Sequence, residues 1–369
     1  MLAKYMQIHR TRVVYLGSCS AVRRFSCRAY PFIPARDDLN AKLDSVPRKP
    51  PSSFPRPQRR HGSTTANRVS GIPRVHAGIP PTEAIDQVKR EGVLIVENLV
   101  SKDSLLQSLQ DVSPMFEERR NGNDEGEFFP PSTSRATGLL RHSPTYVRDQ
   151  LMNPLLRAIS SYFLSTKSVL WSEDGKPQEF ITEPQASACI AFRIKPGARA
   201  QVLHKDDVVY HNENAEIDEW TEPRDLRRET GLTMFVAGSR TTRANGATRI
   251  IPRSHLWGNE RMPDEGAAVP AEMQPGDALF MLSSCYHGGS ANTTSDETRT
   301  VFASSMIRGT LRQEENQHLT ISLDEISAYP AEVQRLTGFR TDFPGLGWVN
   351  LKDPMEAHQE RKRSPPPPP

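Results

Sequence analysis

Between residues 187 and 307 the chain is cut into short apolar runs, and this limits its fold more than any other feature. Residues 188–194, 232–237, 247–251, 278–282 and 300–307 each read as a strand. Glycine, proline or polar residues bound them, as at Pro196-Gly197 and Pro275-Gly276-Asp277. Runs this short fall below the usual length of core helices and match strands. Many short strands with such turns predict a mostly β domain, a sandwich or jelly roll. Upstream, Thr82 is placed to cap a helix running through Lys89, with Ala84, Ile85 and Val88 on one face and Gly92 ending it. A strand over 93–96 follows. A second helix then starts from Ser101, with Leu105, Leu106 and Leu109 inward. The polar stretch 212–229 reads as an inserted loop, either a lid carrying Trp220 or a plain surface insertion.

Composition narrows the class. The chain has 369 residues and a net charge of +3, which implies no particular partner. Residues 1–75 hold roughly a dozen more Lys and Arg than Asp and Glu, which leaves the remainder mildly acidic. A uniformly basic nucleic-acid face is therefore excluded for the main domain. The four cysteines, Cys19, Cys27, Cys189 and Cys285, have no spacing that suggests a disulfide framework, so reduced thiols and a cytoplasmic protein are expected. No apolar run is long enough to cross a membrane. The leader carries Arg and no acid before Asp37, which resembles a mitochondrial transit peptide; a dispensable extension is the other reading. Residues 1–75 are expected to be a disordered basic extension, and 352–369 a disordered charged and Pro-rich tail.

Three pieces carry chemistry. His204-Lys205-Asp206 follows the strand 188–194, and in an extended segment residues i and i+2 point the same way. His287 stands just after the strand 278–282. Two histidines and one carboxylate on one face of a metal leave open positions, the facial triad of non-heme Fe(II) oxygenases. Arg299, twelve positions after His287, opens the next strand and can grip a carboxylate in bidentate fashion. Each piece is weak alone, since the chain has ten histidines; their order along successive strands is what gives them weight. Asp207 competes with Asp206 as a ligand, and period-two geometry favours Asp206. Cys285, two before His287, is expected on the same side. A Zn site of Cys and His is conceivable, but it would need more soft ligands at suitable spacing than the sequence offers. His211, Tyr210 and Tyr286 read as rim or packing residues, and His255 as structural.

These segments resemble the phytanoyl-CoA dioxygenase superfamily, in particular its fungal verruculogen-synthase-like branch. The resemblance is carried by Gln201-Val202-Leu203-His204-Lys205-Asp206-Asp207, by 245–255 (N-G-A-T-R-I-I-P-R-S-H), by Tyr286-His287-Gly288-Gly289 and by 308–317 (R-G-T-L-R-Q-E-E-N-Q). It spans about Val75 to Leu351 and implies a double-stranded β-helix with flanking helices over a domain of residues 76–351. It implies His204, Asp206 and His287 as Fe(II) ligands, Arg299 as the partner of the distal carboxylate of 2-oxoglutarate, and Gln201 and Thr242 as further co-substrate contacts. O2 is then the second co-substrate. The implied reaction is oxidation of a small lipophilic, secondary-metabolite-type substrate by ferryl hydrogen abstraction, and a homodimer is common among such relatives. The family has Arg where Lys205 stands and Gly where Arg253 stands; a turn that needs positive φ is strained by Arg253.

Other functions stay open at this point. An acyl-CoA hydroxylase would need cations near the pocket mouth, for which Arg224, Arg227 and Arg228 are candidates. A β-helix binding protein without catalysis is argued against by the intact triad and Arg299. Nucleic-acid binding by residues 1–75 rests on charge alone.

Overall fold

In a computed structural model, residues 71–118, 132–220 and 228–363 are described, all within the unit Thr65–Pro369. Helix α1, Pro81–Glu91, opens on Pro80-Pro81 and not on a Thr82 cap. Proline suits the first helical position because its fixed φ is helical and the N–H it lacks would have no partner there. The helix ends as expected at Gly92, whose φ of 72° lets its N–H return to Val88 O. Ala84 and Val88 are fully buried. Strand β2, Val93–Glu97, is buried for four of its five residues. Helix α2, Lys102–Glu118, begins with Ser101 Oγ accepting from Ser104 N at 3.3 Å. Leu105 faces the core, whereas Leu106 is turned outward.

The expected strands form, together with several that were not expected. The large sheet has the order β1-β2-β10-β7-β12-β6-β3. Its members are β1 (Arg74–His76), β2, β3 (Thr133–Ala136), β6 (Gln185–Ile194), β7 (Gly231–Ala237), β10 (Ala278–Leu282) and β12 (Arg299–Ile307). Every pairing is antiparallel except β1 with β2. A smaller sheet joins β11 (His287–Gly289), β8 (Thr248–Ile250) and β9 (Val269–Pro270) in the order β11-β8-β9. Two facing, largely antiparallel sheets joined by crossovers make the jelly roll that the strand pattern anticipated, in the double-stranded β-helix form that the family resemblance implied. An outlying hairpin pairs β4 (Thr166–Trp171) with β5 (Pro177–Thr182).

Alternation decides what each face of the large sheet touches. Cys189, Ala191, Leu232, Met234, Val236, Phe302 and Met306 are buried in the main core, which also contains Tyr146, Ile159 and Phe163. Tyr146 stacks on Phe302 at 6.0 Å, and its hydroxyl meets Ser304 Oγ at 2.7 Å. Phe163 belongs to α3 (Pro154–Leu164), which Asn153 caps through Leu155 N. The alternate residues of β6, β7 and β12 face the small sheet, and the site lies between the two sheets.

Three expectations change. The ordered body begins before residue 76, because β1 lies across that boundary. The tail is not disordered from residue 352: α4, Pro354–Arg363, buries Met355 and Ala357, and His358 Nε2 lies 2.8 Å from Asp324 Oδ1. Its charged composition hides the two apolar residues that dock it. The 212–229 segment does not hold Trp220 over the pocket; Trp220 packs edge-on against Phe163 at 5.2 Å in the core. The leader, residues 1–70, lies outside the described residues. Among the described residues, no helix is long and apolar enough to cross a membrane.

Candidate active site

The backbone itself brings His204 and His287 together. His204 N donates to His287 O and His287 N to His204 O, each at 2.9 Å, so the two residues face each other as a strand pair. Their rings lie 4.5 Å apart. Asp206 Oδ1 stands 3.6 Å from His204 Nε2 and 3.5 Å from His287 Nε2, and the ligand atoms of all three lie within 4.8 Å of one another.

Both rings are oriented in the same way. His204 Nδ1 is 2.9 Å from Val202 O, and His287 Nδ1 is 3.1 Å from Cys285 O. A carbonyl accepts only, so each Nδ1 carries a proton, and each Nε2 faces Asp206. Such outer hydrogen bonds fix the tautomer of metal-ligating histidines. Burial lowers the His287 imidazole from its usual value; at His204 the same pull is outweighed by Asp206 and the Val202 carbonyl, and that imidazole is raised. Burial also pushes the Asp206 carboxyl up, but His287 and His204 outweigh it and keep the group ionised.

A cavity of about 300 Å³ opens from this cluster between the sheets. Ala188, Ile190, Phe192, Phe235, Val301 and Ala303 form its apolar wall. At one end stands Arg299, only 4% exposed. Its Nε has no hydrogen-bond partner, and burial alone pushes the guanidinium down to about 10. Among the described residues no acid offsets this charge. A buried, unpaired guanidinium is costly, so its presence in a cavity wall marks the place of an anionic guest.

The sequence matches the phytanoyl-CoA dioxygenase (PhyH) family model over residues 88–301. The chain belongs to the phytanoyl-CoA dioxygenase family. Fungal relatives agree. Dioxygenase cnsJ of Penicillium expansum is 36% identical over 276 residues, covering 74% of this chain and 80% of that one. Dioxygenase peniF of Penicillium patulum is 35% identical over 78% of this chain and 91% of its own length. Dioxygenase himG of Aspergillus japonicus is 34% identical over 74% and 86%. As a member of the phytanoyl-CoA dioxygenase family the chain is an Fe(II)- and 2-oxoglutarate-dependent dioxygenase, and its donor set fits that iron. Two imidazoles and one carboxylate converge from one side, with the apolar cavity on the other.

The remaining expected residues divide. Gln201 lines the cavity, and its Oε1 accepts from Gly289 N at 2.9 Å, fastening the segment before His204 to β11. Thr242 does not reach the cavity. It exchanges hydrogen bonds with Asn245 in a turn and lines a separate surface hollow beside Arg240 and Arg243. The hydroxyl-bearing residue that does line the cavity from this region is Thr248, at the start of β8. Cys285 does not share the side of His287; its thiol donates to Gly92 O at 3.3 Å. Lys205 points away from the ligands, donating to Trp257 O at 3.2 Å with its ammonium over the Tyr286 ring. Arg253 adopts φ 66°, the strained turn conformation its sequence context suggested. His255 is fully buried beside Lys89 O, a structural role. Arg228 is buried, donating to Ala215 O and His255 O, and is no cation at a pocket mouth; Arg224 and Arg227 lie outside the described residues. Glu314, singled out by no chemical motif, lines the cavity.

Proposed function

We propose that this dioxygenase oxidises a small lipophilic substrate lodged between the two sheets, with His204, Asp206 and His287 holding Fe(II) and Arg299 receiving the distal carboxylate of 2-oxoglutarate. The observation that carries the reading is Arg299: a buried guanidinium with no acid beside it among the described residues, in the wall of the cavity that His204, Asp206 and His287 also line. Bound Fe(II), with 2-oxoglutarate as co-substrate, supplies the activation of dioxygen and the removal of hydrogen from substrate. The chain's own residues orient and protect that chemistry. Val202 and Cys285 carbonyls hold the imidazoles so that Nε2 of each points inward. Gln201 and Arg249 tie the segment before His204 to β11 through Gly289, which keeps the ligand spacing independent of any guest. Thr248 offers a hydroxyl to the co-substrate in the place first assigned to Thr242. Phe192, Phe235 and Val301 exclude water and favour an apolar guest.

Anaerobic titration of the apoprotein with Fe(II) and 2-oxoglutarate tests this. A visible charge-transfer band is expected in the wild type and none in His204→Ala. A folded wild-type protein that develops no band refutes the reading.

A further inference from the structure

We propose that Glu314 is the substrate-recognising carboxylate of this site, and that the substrate carries a basic nitrogen that is protonated when it binds. This rests on the iron and co-substrate reading above and names what the opposite end of the cavity selects.

The argument begins with the segment that presents Glu314. Residues 313–317 run alongside the N-terminal end of β6, and their side chains alternate. Gln313 Nε2 donates to Ala186 O at 2.8 Å and to Thr337 O at 3.0 Å. The Glu315 carboxylate accepts from Gly138 N at 2.6 Å and from Cys189 N at 3.0 Å. Gln317 Nε2 donates to Ser187 O at 3.2 Å and to Glu315 Oε2 at 2.9 Å. These three odd-numbered side chains stitch the segment to the body. Glu314 lies between them and turns the other way, into the cavity. Its backbone N–H is fixed to Ser187 Oγ at 3.0 Å, whereas its carboxylate has only a long contact, 3.4 Å, from the same hydroxyl. The fold therefore holds this residue firmly by its backbone and leaves its charge unused.

Placement completes the case. Apart from Asp206, Glu314 is the one carboxylate among the described residues lining the cavity, and no cation among them pairs with it. Arg299 pairs in register with Ile194 at the far end of β6, whereas Glu314 is tied to Ser187 near its start. Seven residues of extended strand separate these ends by on the order of 20 Å. The cavity is thus polarised, with a cation toward one end of β6 and an anion toward the other. Between them lies an apolar wall that suits carbon skeleton. Burial and the nearby Asp206 push the Glu314 carboxyl up, a cost that a cationic guest removes.

The test uses anaerobic full-length enzyme loaded with Fe(II) and 2-oxoglutarate. Tryptamine, phenethylamine and cyclohexylamine are each titrated against their neutral N-acetyl derivatives, following the perturbation of the chelate band. In the wild type the ammonium form is expected to bind about fivefold tighter than its neutral partner, the range of a partly exposed ion pair. In Glu314→Gln that preference should vanish, while the band and the 2-oxoglutarate affinity stay unchanged. Equal binding in the wild type, a preference that survives in Glu314→Gln, or no binding by any probe to a normally formed chelate overturns the proposal. A wild type that forms no chelate refutes the iron reading instead, and this inference with it.

Discussion

Replacing Arg299 with Met should make the unliganded protein more stable and its co-substrate binding much worse. Arg299 is 4% exposed, and burial pushes its guanidinium down by between two and three pH units, to about 10, with no compensating acid among the described residues. At about 1.4 kcal/mol per pH unit this is a cost of about 3 kcal/mol for keeping the charge inside the empty fold. The sign follows from linkage. The unfolded chain holds this proton more tightly than the folded one, so the penalty is fully present below about pH 10 and is relieved as pH rises from there toward the ordinary arginine range. Methionine retains much of the apolar stem and removes the charge, so a gain of about 1–3 kcal/mol is expected after some loss of packing. The same substitution deletes a buried, charge-assisted contact with the distal carboxylate, which costs about 2–5 kcal/mol, or roughly 30-fold to several thousand-fold in 2-oxoglutarate affinity. Urea unfolding of the apoprotein at neutral pH reads the first effect, and titration of the chelate band reads the second. An Arg299→Met variant that is less stable than wild type and binds 2-oxoglutarate equally well would show that Arg299 is a structural strut, and the argument from its missing partner would be refuted.

Two further outcomes follow from buried or strained groups behind the site. Glu229 is fully buried, accepts only from Ser284 Oγ, and is pushed by burial to about 7. A raised carboxyl favours folding at low pH, so up to about 3 kcal/mol of stability should be lost as pH rises from 4.5 to 7, and Glu229→Gln should flatten that slope in denaturant titrations; parallel profiles for the two proteins would rule the assignment out. At Arg253, with φ 66°, Arg253→Gly should melt higher than Arg253→Ala by about 1 kcal/mol, since both lose the same side-chain contacts and differ in backbone tolerance. Equal melting temperatures would mean that the turn relaxes without strain.

Much of this architecture was legible because the physics that writes it is local. The strands around 188–194, 232–237, 278–282 and 300–307 are apolar on both faces, one face packing in the main core and the other walling the cavity, so they stand out as continuous runs. The cluster proposed to hold the metal was legible through order along the chain: a short H-x-D segment after one strand, a histidine after another, an arginine opening the next. Elements whose identity depends on distant partners were not. Thr133–Ala136 is polar and becomes a strand only because β6 offers it an edge. The β4–β5 hairpin is largely exposed and leaves Val169, Trp171 and Ile181 outside the core. Helix α4 is charged and docks through two residues. That Thr248 lines the cavity and Thr242 does not was hidden for a related reason. Both hydroxyls belong to one turn-rich stretch, and only the pairing of β8 with β11 decides which of them faces inward. Glu314 was unreadable because its meaning comes from the bonded neighbours on either side of it.

The alternation along β6, β7 and β12 has a consequence for how enzymes of this architecture diversify. Positions 190, 192, 235, 301 and 303 line the cavity, while their immediate neighbours, such as Ala191, Val236 and Phe302, hold the core. Selection for a new substrate can therefore exchange wall residues one at a time, with little disturbance to folding or to the ligand cluster on the opposite sheet. A lineage can explore guest shapes while its reactive centre stays as it is.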